Sequence, residues 1–277
     1  MKYINWEKNS GYNKGYNTNK LIAEKNYKSS SNTIVKAYTQ IQESGVLEIL
    51  KNITNIRKIF SGIGVDVGGG VALISATIAK NFKIDKIYCV EYVEEVVKLC
   101  HPIVKKNILE KNFNQVQSIV GDFDNLQLPN NSIDFMISWD SLHHSENPVK
   151  TLNECKRVLK DNGFLVIIDK SHNNSVSDDE IINMLDYQYD KEFLKLNNLD
   201  TNTILFRKDE GEHEYRFYEW ENFFENAGFK IIQNFLIKTE TPSNLSKKND
   251  NDLKEIFVKF NVGGFQQQKA VYVLQPN

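Results

Sequence analysis

Cysteine is scarce in this chain, with only Cys89, Cys100 and Cys155 among 277 residues and no CxxC pair. That spacing argues against a disulfide framework or a thiolate zinc site, and three buried thiols in a reducing cytoplasm are expected. Arginine is confined to Arg57, Arg157, Arg207 and Arg216. Neither sign of charge is in excess, since 34 basic residues meet 36 acidic ones for a net charge of −2. A globally cationic nucleic-acid binder is thereby excluded, although a local basic patch is not. No apolar run approaches the roughly 20 residues that cross a bilayer. The opening Met1-Lys2-Tyr3-Ile4-Asn5-Trp6 holds no apolar block of signal-peptide length. The expectation is a cytoplasmic protein with no membrane partner.

What the chain does have is 40% hydrophobic residues beside 25% charged ones, enough for a sizeable core in one large domain or one domain with a modest lid. Residues 1–32 are polar and carry a short echo, Gly11-Tyr12-Asn13-Lys14 then Gly15-Tyr16-Asn17-Thr18. They read either as a mobile arm or as a lid whose tyrosines close over a ligand. From Thr33 to Ile59 apolar residues fall at helical spacing (Ile34, Tyr38, Ile41, then Val46, Ile49, Leu50, Ile53), with Gly45 expected to separate a pair of helices.

From residue 60 the pattern changes to short β-rich runs alternating with helices. The strands expected are Ile63–Val67, Lys86–Val90, Val116–Val120, Ile133–Ser138 and Phe164–Ile168. Helices follow at about 71–81, about 92–111 (interrupted at His101-Pro102) and behind Asn147-Pro148, an N-cap with proline at the first helical position. Residues 170–215 read as a helical insertion opened by the capping box Ser177–Glu180. A helix through Trp220, Phe223, Phe224 and Ala227, a sixth strand (Phe229–Ile237), a short helix near 252–260 and a final strand (Lys269–Leu274) complete the chain. Five β–α alternations predict a doubly wound, seven-stranded, mostly parallel α/β sheet, whose ligands sit at the carboxyl ends of the strands.

The first of those ends reads Asp66-Val67-Gly68-Gly69-Gly70-Val71-Ala72. Glycines between a strand and a helix let the backbone turn sharply and approach a ligand. A nicotinamide dinucleotide is one candidate, but the GxGxxG pattern fails because Leu73 stands at its third glycine. The segment resembles instead the first motif, D-x-G-x-G-x-G, of the class I S-adenosylmethionine-dependent methyltransferases, with Ala72 replacing the last glycine. Further landmarks follow in the family's order: Glu91 directly follows the second strand, 25 residues past Asp66, and Gly121-Asp122-Phe123 closes the third. Next come Ser138 to Pro148 with two histidines, Val158 to Phe164, and Ala227-Gly228-Phe229. The likeness spans about 60–275.

The resemblance implies a Rossmann-like fold over 60–277, with an N-terminal arm and cap helices over 1–59 and the insertion 170–215 as a substrate lid. It also implies S-adenosylmethionine as cofactor, held by Asp66, Gly68, Gly69, Gly70, Glu91, Tyr92, Asp122, Phe123, Trp139 and Asp140. Glu91 would take the ribose diol, since its two oxygens suit two hydroxyls. Asp122 and Phe123 would face the adenine. His143 and His144 are candidate bases because imidazole titrates near neutrality; adjacent residues on a loop point apart, so at most one reaches an acceptor. His213 is a third candidate, whereas His101 and His172 suit structural or surface roles. Asp140 and Asp169 match the aspartates of the metal-dependent catechol-type members, but Lys170 stands where their asparagine would be, so no metal is expected.

The acceptor expected is a small molecule, such as a metabolite, sugar or natural-product intermediate, methylated on oxygen or nitrogen. Nucleic acid is not expected, because basic residues and aromatics do not interleave. A protein or nucleic-acid acceptor and a catalytically silent partner subunit remain as alternatives, and the chain is expected as a monomer or homodimer. The aromatics Tyr187, Tyr189, Phe193, Phe206, Tyr215, Phe217, Tyr218 and Trp220 would either roof an apolar pocket or fill core.

Overall fold

The computed structural model describes residues 2–8, 16–24, 32–109, 113–197, 199–239, 250, 253–258 and 268–277. Tyr12, most of the Gly11–Thr18 echo and most of the polar stretch 239–252 fall outside them. Strands β1 (Ile4–Asn5), β2 (Gly62–Val67), β3 (Ile84–Glu91), β4 (Val116–Val120), β5 (Ile133–Trp139), β6 (Leu159–Lys170), β7 (Phe229–Thr239), β8 (Glu255–Val258) and β9 (Lys269–Pro276) build one sheet. Its order is β1-β4-β3-β2-β5-β6-β9-β7-β8. β9 lies antiparallel between β6 and β7, and the other pairings are parallel. Helices α1 (Tyr16–Ala23), α2 (Asn32–Leu50), α3 (Ile56–Ile59), α4 (Leu73–Asn81), α5 (Glu94–Leu109), α6 (Pro148–Val158), α7 (Asp178–Leu185), α8 (Lys191–Leu196) and α9 (Phe217–Asn226) surround it.

Side chains alternate across the sheet with the period of a strand. On β5, Phe135 and Ile137 join one core with Val46, Ile49 and Leu50 of α2 and Ile74 and Ile78 of α4. Met136 joins the opposite core with Leu152 and Cys155 of α6 and Trp220 and Phe224 of α9. Both faces are therefore covered, which is why the central strands read as unbroken apolar runs.

Four expectations change. Among the described residues the sheet has nine strands, the two additions being its edge strands β1 and β8. The helix expected near 252–260 is instead strand β8: Ile256 packs on the core and Val258 is buried, while Phe257 between them is 57% exposed, a period of two. Gly45 does not break α2, because burial of Val46, Ile49 and Leu50 outweighs the roughly 1 kcal/mol a helical glycine costs. α5 likewise runs through Pro102. The proline deprives the Lys98 carbonyl of its helical donor, but Val97, Cys100, Val104 and Ile108 stay buried along the same face. Among the described residues no helix is long and apolar enough to cross a membrane.

Candidate active site

β2 lies between β3 and β5, so the chain winds outward on one side and returns on the other. A crevice opens at the carboxyl end of such a central strand. Here it is a cavity of about 250 Å³ with Gly68 and Gly70 on its floor. Glu91, Tyr92 and Phe123 stand on one side, Asp140 and His144 on the other, and Asn19 and Ile22 of α1 over it.

The floor is built by close backbone approach. Gly68 has φ +69°, and a Cβ there would lie 2.6 Å from Cβ of Ser141. A Cβ on Gly69 would lie 2.3 Å from the Cys89 sulfur. The Gly69 N–H donates to the Val90 carbonyl (2.8 Å), and the Gly70 N–H to Glu91 Oε2 (3.0 Å). Ala72, which holds the place of the family's last glycine, takes φ +68°. A left-handed alanine costs about 1 kcal/mol that glycine would not.

Beneath the loop sits Asp66, whose Oδ2 accepts from the Ser75 N–H (3.1 Å) and hydroxyl (2.7 Å), tying β2 to the start of α4. Burial pushes its carboxyl up to about 7. Because the folded state favours the neutral acid, this contribution to stability is whole below the ordinary carboxylate value and is lost as pH rises through about 7. The melting temperature of Asp66→Asn should accordingly gain on that of the unsubstituted protein between about pH 5 and 8. Parallel melting curves would refute the assignment.

A residue that sequence reasoning placed outside the site completes the loop. His101 is fully buried, its Nε2–H donating to the Gly70 carbonyl (2.8 Å) while Nδ1 accepts from the Ser118 hydroxyl (2.9 Å). Burial lowers its pKa to about 4, so the ring is a neutral strut. The signal was available: His101 shares the buried stripe of α5 with Val97, Val104 and Ile108.

Beyond β5 the chain enters the loop of the two histidines. His143 is buried; its Nδ1–H donates to Asp169 Oδ1 (2.6 Å), and Asp169 also accepts the backbone N–H groups of Leu142, His143 and Lys170. Burial holds the His143 pKa well below its ordinary value. His144 lines the cavity and donates from Nδ1 to the Gly211 carbonyl (3.0 Å), leaving Nε2 as its basic nitrogen. His213 is not among the lining residues; its Nδ1–H holds the His143 carbonyl (2.8 Å), and its ring stacks on Tyr215.

Behind this loop lies a network of buried charges that the sequence did not disclose. Lys269 pairs with Asp140, Lys170 and Arg207 pair with Glu212, and Arg207 and His172 pair with Glu214. Two sets, His143 with His144 and Glu212, and Asp140 with His143 and Asp169, bring possible metal-ligand atoms within 4.8 Å of one another. In both, an ammonium already meets one of the carboxylates.

Of the proposed cofactor contacts, Gly68, Gly70, Glu91, Tyr92, Phe123 and Asp140 line the cavity. Asp66 and Gly69 support it from below. Asp122 caps its own turn by accepting the Asp124 N–H (2.9 Å). Trp139 does not face the cavity but packs on the core with Phe135 and Ile137. Nor are the aromatics in and beside the insertion among the described lining residues: Phe217 and Trp220 of α9 are buried core, and Tyr189 of the insertion stacks on Phe193.

A doubly wound sheet with its cavity at the glycine turn, an acid ending β3 and a last strand, β9, inserted antiparallel between β6 and β7 define a class I methyltransferase fold. Known proteins agree. The model of a methyltransferase domain matches residues 65–167. An uncharacterized chloroplastic methyltransferase of Arabidopsis thaliana is 27% identical over 105 residues, 38% of this chain and only 30% of the relative's own length. An S-adenosylmethionine-dependent methyltransferase from Leishmania major superposes with a TM-score of 0.57 at 12% identity, over 96% of this chain and 87% of the other. A mitomycin 7-O-methyltransferase gives 0.52 at 12% identity, over 86% and 54%. Over residues 65–167 the chain therefore matches a methyltransferase domain, and its fold is that of the class I S-adenosylmethionine-dependent methyltransferases.

Proposed function

We propose that this chain transfers the methyl group of S-adenosylmethionine to an oxygen or nitrogen of a small-molecule acceptor. The cavity carries this reading, with glycines as its floor, Glu91 at one side and His144 at the other. The cofactor supplies a methyl group already activated on a sulfonium, so the protein's role is alignment, exclusion of water and, where the acceptor must lose a proton, a base. Glu91 takes the ribose hydroxyls, and Tyr92 and Phe123 flank the base. Asp122 shapes the turn that presents Phe123.

His144 takes the proton at Nε2, while His143 and His213 are positioning residues that hold its loop. Residues 1–59 supply arm and cap, 60–277 the cofactor-binding domain, and 170–215 the wall of the acceptor side. A small acceptor is supported by the modest cavity of about 250 Å³, which Asn19 and Ile22 of α1 also line; a structure of similar fold is a mitomycin 7-O-methyltransferase. The reading needs no metal, since Lys269 and Lys170 already neutralise Asp140 and Glu212.

Calorimetry with S-adenosylhomocysteine tests it directly: saturable binding is expected, and no heat at millimolar ligand would end the proposal. The histidines separate in a second test. His144→Ala should lower kcat about 100-fold while leaving S-adenosylhomocysteine affinity within about threefold. An unchanged kcat would remove His144 from the chemistry.

A further inference from the structure

Every carboxylate of the charge network behind the cavity has a partner that offsets it. Asp140 has Lys269; Glu212 has Lys170 and Arg207; Glu214 has Arg207 and His172; Asp169 has the His143 ring N–H and three backbone donors. Glu210 differs. It lines the cavity on the side of His144 and Asp140, and among the described residues it makes no ion pair. Its neighbour is the Thr18 hydroxyl of α1, and the charges acting on it, Glu212 and Asp209, are themselves negative. Among the described residues that line the cavity there is no lysine or arginine. Lys8, near the opposite side, is already seated on the Tyr92 carbonyl (2.6 Å) and ring.

A half-buried carboxylate that faces a ligand space without a counter-ion favours a ligand that brings one. We propose that the acceptor is a cationic amine and that Glu210 is its specificity-determining counter-ion, recognising the ammonium beside His144. This rests on the methyltransferase reading above and names its substrate class. The chemistry balances with groups already present. An ammonium has no free lone pair, so it must first give one proton to Nε2 of His144, whose Nδ1–H is held by the Gly211 carbonyl. The freed nitrogen lone pair then forms the N–C bond as the C–S bond breaks, its electron pair staying on sulfur. The product is again a cation, with one more methyl group.

Two cofactor analogues separate the possibilities by calorimetry. S-adenosylhomocysteine carries the amino-acid ammonium and a neutral sulfur. Sinefungin carries the same ammonium and, in addition, an amine where the transferable methyl would stand. The expected result is that sinefungin binds about tenfold more tightly than S-adenosylhomocysteine, an advantage that disappears in Glu210→Gln. Glutamine keeps a hydrogen bond for Thr18 and removes only the charge, so S-adenosylhomocysteine affinity should hold within about twofold.

Equal losses for both ligands would place Glu210 against the amino-acid end of the cofactor and overturn the proposal. An unchanged preference for sinefungin would overturn it as well. Failure of the unsubstituted protein to bind S-adenosylhomocysteine at all would instead defeat the methyltransferase reading.

Discussion

Asp169→Ala is expected to lower the melting temperature by roughly 10 °C. Asp169 is fully buried at the carboxyl end of β6 and accepts four hydrogen bonds, one from a ring and three from backbone. Burial raises its pKa even though Lys269 and Lys170 pull the other way, so desolvation outweighs attraction, and the ion pairs are not its main contribution. What it supplies is acceptors. Alanine would strand the N–H groups of Leu142, His143 and Lys170, free the His143 ring, and leave Lys170 and Lys269 with less buried compensation. Removing one member of such a cluster costs about 3–5 kcal/mol, and each kcal/mol moves the melting temperature of a chain this size by about 2–4 °C. Asp169→Asn, which keeps one acceptor oxygen, should lose about half as much. A melting temperature within about 2 °C for the alanine variant would show that the network does not hold the loop.

That network also marks where sequence reading stops. The glycine-turn side of the cavity was legible because its pattern is local: a glycine turn follows a strand, and an acid ends the next one. Asp66, Gly68, Gly70 and Glu91 announce themselves within two β–α units. The opposite side, proposed above for the acceptor, is assembled over long separations. Lys269 meets Asp140 only because β9 returns antiparallel beside β6, and Glu212 and Glu214 arrive from an insertion with no motif of its own. In a chain with 25% charged residues, two more carboxylates, Glu212 and Glu214, are invisible until the fold gathers them.

Smaller errors have equally physical causes. Ending the fourth strand at Ser138 left Trp139 outside it. Extended by one residue, the strand places Trp139 on the same face as Ile137 and Phe135, and that face is core. The proline in α5 and the glycine in α2 are local penalties of a few kcal/mol at most, which buried apolar stripes outweigh. The two edge strands are short: β1 pairs with β4, far away in the chain, and β8 has only four residues to pair with β7.

Glu91→Ala should weaken S-adenosylhomocysteine binding about 30-fold. The side chain is held from behind, Oε1 accepting the Val93 N–H (2.7 Å) and Oε2 the Gly70 N–H (3.0 Å). Each carboxylate oxygen has two lone pairs, so one per oxygen stays directed away from the backbone, a fit for two adjacent hydroxyls. Those backbone donors fix the rotamer before any ligand arrives, and the ribose then pays little ordering entropy. Hydrogen bonds to a charged acceptor contribute about 1.5–3 kcal/mol, and about 2 kcal/mol corresponds to the expected loss. The same substitution also releases the Gly70 N–H, yet His101 still grips the Gly70 carbonyl, so the loop should keep its shape and the melting temperature should fall by only a few degrees. Affinity within about threefold of the unsubstituted protein, measured by calorimetry on a folded variant, would mean that Glu91 only pins the glycine turn and that the ribose lies elsewhere.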